Sequence, residues 1–198
     1  TLRSQDGLDT DLLELQQNSA EYRRIRYPGL VYVLSAPEEL AEDEIRGILR
    51  LPAPDTDIRR LVMFHWDDDV NQWQPLDRIG SPLTGFLGSQ VTGTGIYALF
   101  VDEEAPEISN VSPIDAGEVP LDSFYVEATI LDAGSGISEI VFMVDGKRVD
   151  YDYEPESGQL TYFPSMLDWG LHKMEITATD RAGNTAEFST SFLTKESF

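Results

Sequence analysis

The chain has 198 residues, with 36 Asp and Glu against 14 Lys and Arg, and a formal charge of −22. Hydrophobic residues make up 41%, enough for packed cores in one large domain or two of about 100 residues each, so this is not a disordered acidic tail. The charge excludes nucleic acid as a partner, because such binding relies on Lys and Arg displacing condensed counterions.

No run approaches the roughly 18 to 20 apolar residues of a membrane-spanning helix, so no membrane insertion is expected. Zero cysteine removes disulfides, thiolate metal sites and a Cys nucleophile. The Lys-poor, acid-rich balance suits a halophile's surface, a divalent-cation binder, or an exported module kept apart by like charge, and the last is preferred. Starting at Thr1 without Met and stopping just after a strand-like run, the chain reads as a fragment of a longer protein.

In chain order, residues 1–20 place Leu8, Leu12, Leu13 and Leu15 among acids and fit a helical turn, a frayed end or an edge strand. Strands are predicted at 27–34, 45–51, 60–66, 73–76, 84–91 and 95–101. Ser35 and Pro37 suit the start of a short helix. Asp67, Asp68, Asp69, Val70 and Asn71 make a polar turn between Trp66 and Trp73. A seam follows at 102–107, Asp-Glu-Glu-Ala-Pro-Glu, which reads as an acidic linker. Residues 1–101 hold 16 acids and 9 bases, for −7, while 102–198 hold 20 and 5, for −15.

Beyond the seam, short runs alternate apolar and polar residues with no helical period. Strands are predicted at 107–111, 123–131, 139–144, 148–153, 159–163, 172–179 and 186–194, seven in under 100 residues. In 123–131, Phe124, Val126, Ala128 and Ile130 share one face. Asp145-Gly146 supplies the positive φ of a tight hairpin. An immunoglobulin-like sandwich is the economical assembly. The expected fold is therefore all-β, with two tandem β-sandwich domains: a module over 1–101, the linker at 102–107, and an immunoglobulin-like domain over 108–198.

Asp132-x-x-Ser135-Gly136-Ile137, Val144-Asp145-Gly146, Gly170-x-His172 and Asp180-Arg-Ala-Gly183-Asn184 together resemble the bacterial immunoglobulin-like domains that repeat in exported proteins. The resemblance covers about half the chain, and it implies stalks, spacers and adhesion modules, not a chemistry. Trp66, Trp73-x-Pro75-Leu76 and the run 95–102 are similar to β-sandwich modules that precede such repeats in large secreted bacterial proteins. Some of those proteins carry a lysostaphin-like or subtilisin-like peptidase elsewhere, which would make this chain an accessory region.

Catalytic signatures are lacking. His65 and His172 are the only histidines, neither with a second His nearby, so no zinc centre is expected and each reads as a hydrogen-bonded structural residue. No Gly-x-Ser-x-Gly elbow occurs, and 92–95, Thr-Gly-Thr-Gly, lacks the helix and Lys of a phosphate loop. Paired carboxylates are plentiful but uninformative among 36 acids. The chain is expected not to be an enzyme.

Calcium is the one candidate cofactor. In an immunoglobulin sandwich the B–C and F–G loops and the entry to strand A share one end. Asp132 and Ser135 fall in B–C, Asp180 and Asn184 in F–G, and Asp102, Glu103 and Glu104 in the linker, all oxygen donors of the kind calcium takes 6 to 8 of. The competing account has Asp132 and Asp180 accepting backbone N–H groups as Asx turns, with Gly136, Gly183 and Asn184 supplying positive φ. Residues 67–71 lack full EF-hand spacing and read as a solvated hairpin tip. Trp66, Trp73 and Tyr97 would serve as a carbohydrate-stacking platform if exposed, and as core if not. The expected function is a non-catalytic structural, adhesion or spacer region at the cell surface or outside a bacterium. The alternative is a carbohydrate- or protein-binding accessory module of a larger secreted enzyme.

Overall fold

The computed structural model describes residues 2–5, 25–26, 31–35, 46–53, 57–79, 85–115, 117–120, 125–164 and 167–195. The helix expected at Ser35 onward, and most of 1–20, lie outside these. The chain divides into two compact units: Thr1–Glu104 with Ala133–Gly136 and Arg181–Asn184, and Ala105–Asp132 with Ile137–Asp180 and Thr185–Phe198. Among the described residues the regular structure is β, apart from a 3-10 turn at Ile58–Arg60.

The first unit holds β1 (Leu2–Gln5), β2 (Ile25–Arg26), β3 (Val31–Leu34), β4 (Gly47–Pro52), β5 (Leu61–Asp67), β6 (Gln72–Leu76), β7 (Phe86–Val91) and β8 (Gly95–Asp102). One sheet runs β1-β3-β8-β5-β6 with β2 also on β8, and β4 and β7 form a second. Of 1–20 only β1 is described, and it pairs antiparallel with β3, while Leu8, Leu12, Leu13 and Leu15 lie outside the described residues. The run Leu61-Val-Met-Phe64 in β5 is apolar on both faces, and both are covered.

On one face Leu61, Met63, Tyr97, Leu99 and Val101 pack with Leu49 and Leu51 of β4 and Leu87 and Val91 of β7, sheet against sheet. On the other, Val62, Phe64, Trp66, Ala98 and Phe100 pack with Trp73, Val31 and Ala182. The expected polar turn joins β5 to β6, with Trp66 opposite Trp73. Asp67 Oδ1 accepts the Asp69 N–H at 2.9 Å, and Asn71 takes φ 52°.

The second unit holds β9 (Glu107–Ser112), β10 (Gly117–Pro120), β11 (Val126–Leu131), β12 (Ile137–Val144), β13 (Lys147–Arg148), β14 (Asp152–Glu154), β15 (Gln159–Tyr162), β16 (Gly170–Asp180) and β17 (Thr185–Lys195). Its sheets run β14-β15-β11-β9 and β10-β17-β16-β12-β13. Lettered by order, these are D-E-B-A and A′-G-F-C-C′, the immunoglobulin-like arrangement. The core joins Val126, Ala128 and Ile130 to Phe142, Leu160, Met174, Ile176 and Phe192.

Three expectations change. The strand expected at 148–153 is two strands in different sheets, because β13 pairs with β12 while β14 pairs with β15. Between them Val149 and Tyr151 pack on the core, and the Tyr151 hydroxyl donates to the Ile140 carbonyl at 2.8 Å. A short strand, β10, was not foreseen; it runs parallel to β17. The ends of the expected linker are strand residues, Asp102 closing β8 and Glu107 opening β9.

Candidate functional site

Asp102, in the first unit, is fully buried at 0% exposure. Its Oδ2 accepts the Ser135 N–H at 2.7 Å, and its Oδ1 accepts the Glu104 N–H at 3.2 Å, an Asx turn. Its carbonyl accepts from Asn184 Nδ2 at 3.1 Å, and Asn184 Oδ1 accepts from Arg60 Nη1. Ser135 Oγ accepts the Ala182 N–H at 3.2 Å. Arg181 donates to the Ser135 carbonyl at 3.2 Å and to Asp77 Oδ1 at 2.9 Å.

A buried carboxylate satisfied by amides is a structural cap, since each N–H aimed at the anion offsets its lost hydration. Gly134 is required beside it: a Cβ there would lie 2.3 Å from Asp102 Oδ2.

Of the residues expected to bind calcium, Asp102 and Asn184 are therefore joined, while Glu103 and Glu104 have exposed side chains. In the second unit Asp132, just past β11, and Asp180, the last residue of β16, offer carboxylate oxygens within 4.8 Å of each other. The Asp180 carbonyl accepts from Ser138 Oγ at 2.7 Å. Gly136 and Gly183 both take φ 78°, but Asn184 is not among the positive-φ residues, and its side chain works instead.

The aromatic platform is corrected. Trp66, Trp73 and Tyr97 are 4%, 0% and 2% exposed, because β5 and β8 are buried on both faces and Trp73 occupies the buried face of β6. Trp66 and Trp73 stack edge to face at 5.5 Å, and Trp73 meets Phe100 at 5.4 Å. Tyr97 donates to the Gly93 carbonyl at 3.0 Å and lies 4.8 Å from the His65 ring. The nearby cavity, about 100 Å³ and lined by His65, Gln90, Thr92 and Tyr97, is smaller than the roughly 300 Å³ at which ligand pockets begin.

Other rings are exposed: Phe163 (65%), Trp169 (64%) and Tyr125 (47%) in the second unit, with Leu171 at 65%, and Phe86 (48%) in the first. Tyr125 and Phe163 lie 5.9 Å apart, just outside the Val126 and Tyr162 pair. The signal for Leu171 and Tyr125 was their parity, since each sits one residue out of phase with the buried His172 and Val126.

His172, buried as expected of a structural histidine, places Nδ1 2.7 Å from Asp145 Oδ2 and Nε2 2.9 Å from the Asp168 carbonyl. Burial alone favours the neutral ring, but hydrogen bonds to Asp145 and the Asp168 backbone, with the charges of both acids, raise it above the ordinary histidine value. Conversely, the hydrogen bond to His172 holds the Asp145 carboxyl below the usual range.

No family model matches the chain. No curated protein matches it either. Among solved structures, it is similar to the fibronectin(III)-like modules of Clostridium thermocellum CbhA, at 15% identity over 84% of this chain and 94% of that one, TM-score 0.38. It is also similar to dimeric latent PorU from Porphyromonas gingivalis, at 12% identity over 85% of this chain and 22% of that one, TM-score 0.40. A third is CopC from Methylosinus trichosporium OB3b, at 17% identity over 47% of this chain and 96% of that one, TM-score 0.37. The chain thus spans about a fifth of PorU, and the fold assignment rests on the strand order itself.

Proposed function

We propose that this chain is a non-catalytic structural, spacer or adhesion region of an exported bacterial protein. The observation that carries this reading is the cap at the end of β8. Where the chain leaves β8, the Asp102 side chain and carbonyl are bonded to 133–136 and to Asn184, so tension along the backbone there loads several hydrogen bonds at once. Pulling single molecules from their ends tests it: Asp102→Ala should lower the unfolding force while Asp69→Ala, at the exposed hairpin tip, leaves it unchanged. Equal forces for wild type and Asp102→Ala would overturn this mechanical role.

Calcium at Asp132 and Asp180 is the finer form of this reading, favoured by their close carboxylates. A ligand that binds only the native state stabilises it by about 2.7 kcal/mol at 100 times its Kd. Millimolar calcium against EGTA should then raise the thermal midpoint, and Asp180→Ala should abolish the rise. An unmoved midpoint reduces the acids to turn chemistry.

A second reading, the accessory binding module, is favoured by the exposed rings of Phe163, Trp169 and Tyr125, which offer apolar faces of the kind sugars and protein partners use. Binding to a glycan panel that is lost in Trp169→Ala would establish it. Binding that survives that change would point elsewhere on the molecule.

A further inference from the structure

Both ring nitrogens of His172 face oxygens that can only accept. The Asp145 carboxylate lies 2.7 Å from Nδ1, and the Asp168 carbonyl lies 2.9 Å from Nε2. Thr194 Oγ1 is 3.2 Å from Nε2, but its proton has acceptors of its own in the carbonyls of Asp168 (2.7 Å) and Gly170 (3.1 Å). A neutral imidazole has one N–H, so its lone pair would oppose a carboxylate or carbonyl lone pair within hydrogen-bond distance. The imidazolium has two N–H groups and satisfies both.

We propose that His172 is a pH-operated clasp: as imidazolium it ties the β12–β13 turn, the backbone entering β16, and β17 together, and on losing its proton it releases one of these ties. The turn is held through Asp145, whose other oxygen accepts the Lys173 N–H at 2.9 Å. The entering backbone is held on both sides of the exposed Trp169, by the Asp168 carbonyl and by Gly170, whose N–H donates to Thr194 Oγ1 at 3.0 Å. The clasp therefore sets how the Trp169 ring is presented.

The surrounding charges come from each neighbouring element. The turn brings Asp145 and Lys147, and the entering segment brings Asp168. β15 brings Tyr162, whose hydroxyl burial and the Asp145 charge push up. β16 brings Lys173, its ammonium held by Glu175 at 2.6 Å. β17 offers the Phe192 ring, stacked at 5.4 Å, and Thr194, while its Lys195 pairs with Glu118 of β10. The two acids that act on the ring, Asp145 and Asp168, favour its charged form, in keeping with its raised value.

The test is a long-range proton–nitrogen spectrum of the labelled full chain across the pH range, with His65→Gln or His172→Gln assigning the two rings. Both His172 nitrogens should be protonated at about pH 6, with the transition midpoint above the ordinary 6.5. Beyond the midpoint, corrected amide exchange at Gly170 or at Lys173, according to which tie is released, should rise by roughly tenfold, the order expected for the loss of one hydrogen bond. A single neutral tautomer below pH 6.5, or exchange unchanged across the midpoint at both Gly170 and Lys173, would overturn the proposal.

Discussion

Asp102 shows how a single carboxylate is made a structural element. At 0% exposure it would be costly if unsatisfied, yet it accepts two backbone amides while its own carbonyl takes Asn184. Asp102→Ala strands those buried donors and should cost about 1–3 kcal/mol, read as a lower urea midpoint. Gly134→Ala should cost a similar amount, ~1–3 kcal/mol of overpacking, because its Cβ has no room beside the carboxylate.

The His172 and Asp145 pair sets a pH window. The raised histidine contributes stability that is complete below 6.5 and lost as pH rises through its folded value. The lowered aspartate contributes above 3.8 and loses it as pH falls. Asp145→Asn, which tolerates the local φ of 51°, should therefore lower the melting temperature more at about pH 5.5 than well above the His172 transition, where the ring has lost its charge. Equal losses at both would mean the pair is not ionic in the folded state.

At the scale of elements, alternation in the sequence was a faithful guide where one face was wet, as in β11, whose Val126, Ala128 and Ile130 are buried in turn. It was ambiguous where both faces were dry. In β5 the run Leu61-Val-Met-Phe64 says strand but not which side holds which neighbour, so Trp66 and Trp73 were readable as platform or core. Their burial predicts that of three tryptophans only Trp169 is open to acrylamide quenching. Trp73→Ala should cost about 3–5 kcal/mol, against no more than about 0.5 kcal/mol for Trp169→Ala.

The broken strand after β13 was illegible for another reason. Val149, Tyr151 and Tyr153 keep one parity, but a chain crossing from sheet to sheet keeps it too. Gly158 adds a tight point: a Cβ there would sit 2.4 Å from Leu131 Cδ2 and 2.6 Å from the Ile130 carbonyl, at φ 69°, so the turn before β15 admits only glycine.

For the whole molecule, 36 acids against 14 bases make self-repulsion the dominant long-range force. Raising ionic strength from about 0.01 M to about 0.1 M shortens the Debye length from ~30 Å to ~10 Å. Melting temperature should rise over that range. A fall would show that ion pairs such as Arg181 with Asp77 and Arg148 with Glu139 outweigh the net charge.

By itself the sequence determined the all-β class, most strands, the turn at Asp145-Gly146 and the immunoglobulin-like half, because these follow from period-two alternation and local φ preferences. Tertiary structure alone decided what the acids and rings do. Burial of Asp102, its match with Ser135 and Asn184, and the two acceptors facing His172 depend on contacts between residues 33, 82, 27 and 4 positions apart. Most of these lie well beyond the few residues over which local pattern reports geometry. Which strand belonged to which sheet was likewise decided by pairing across the sandwich, and with it which aromatic rings reached solvent.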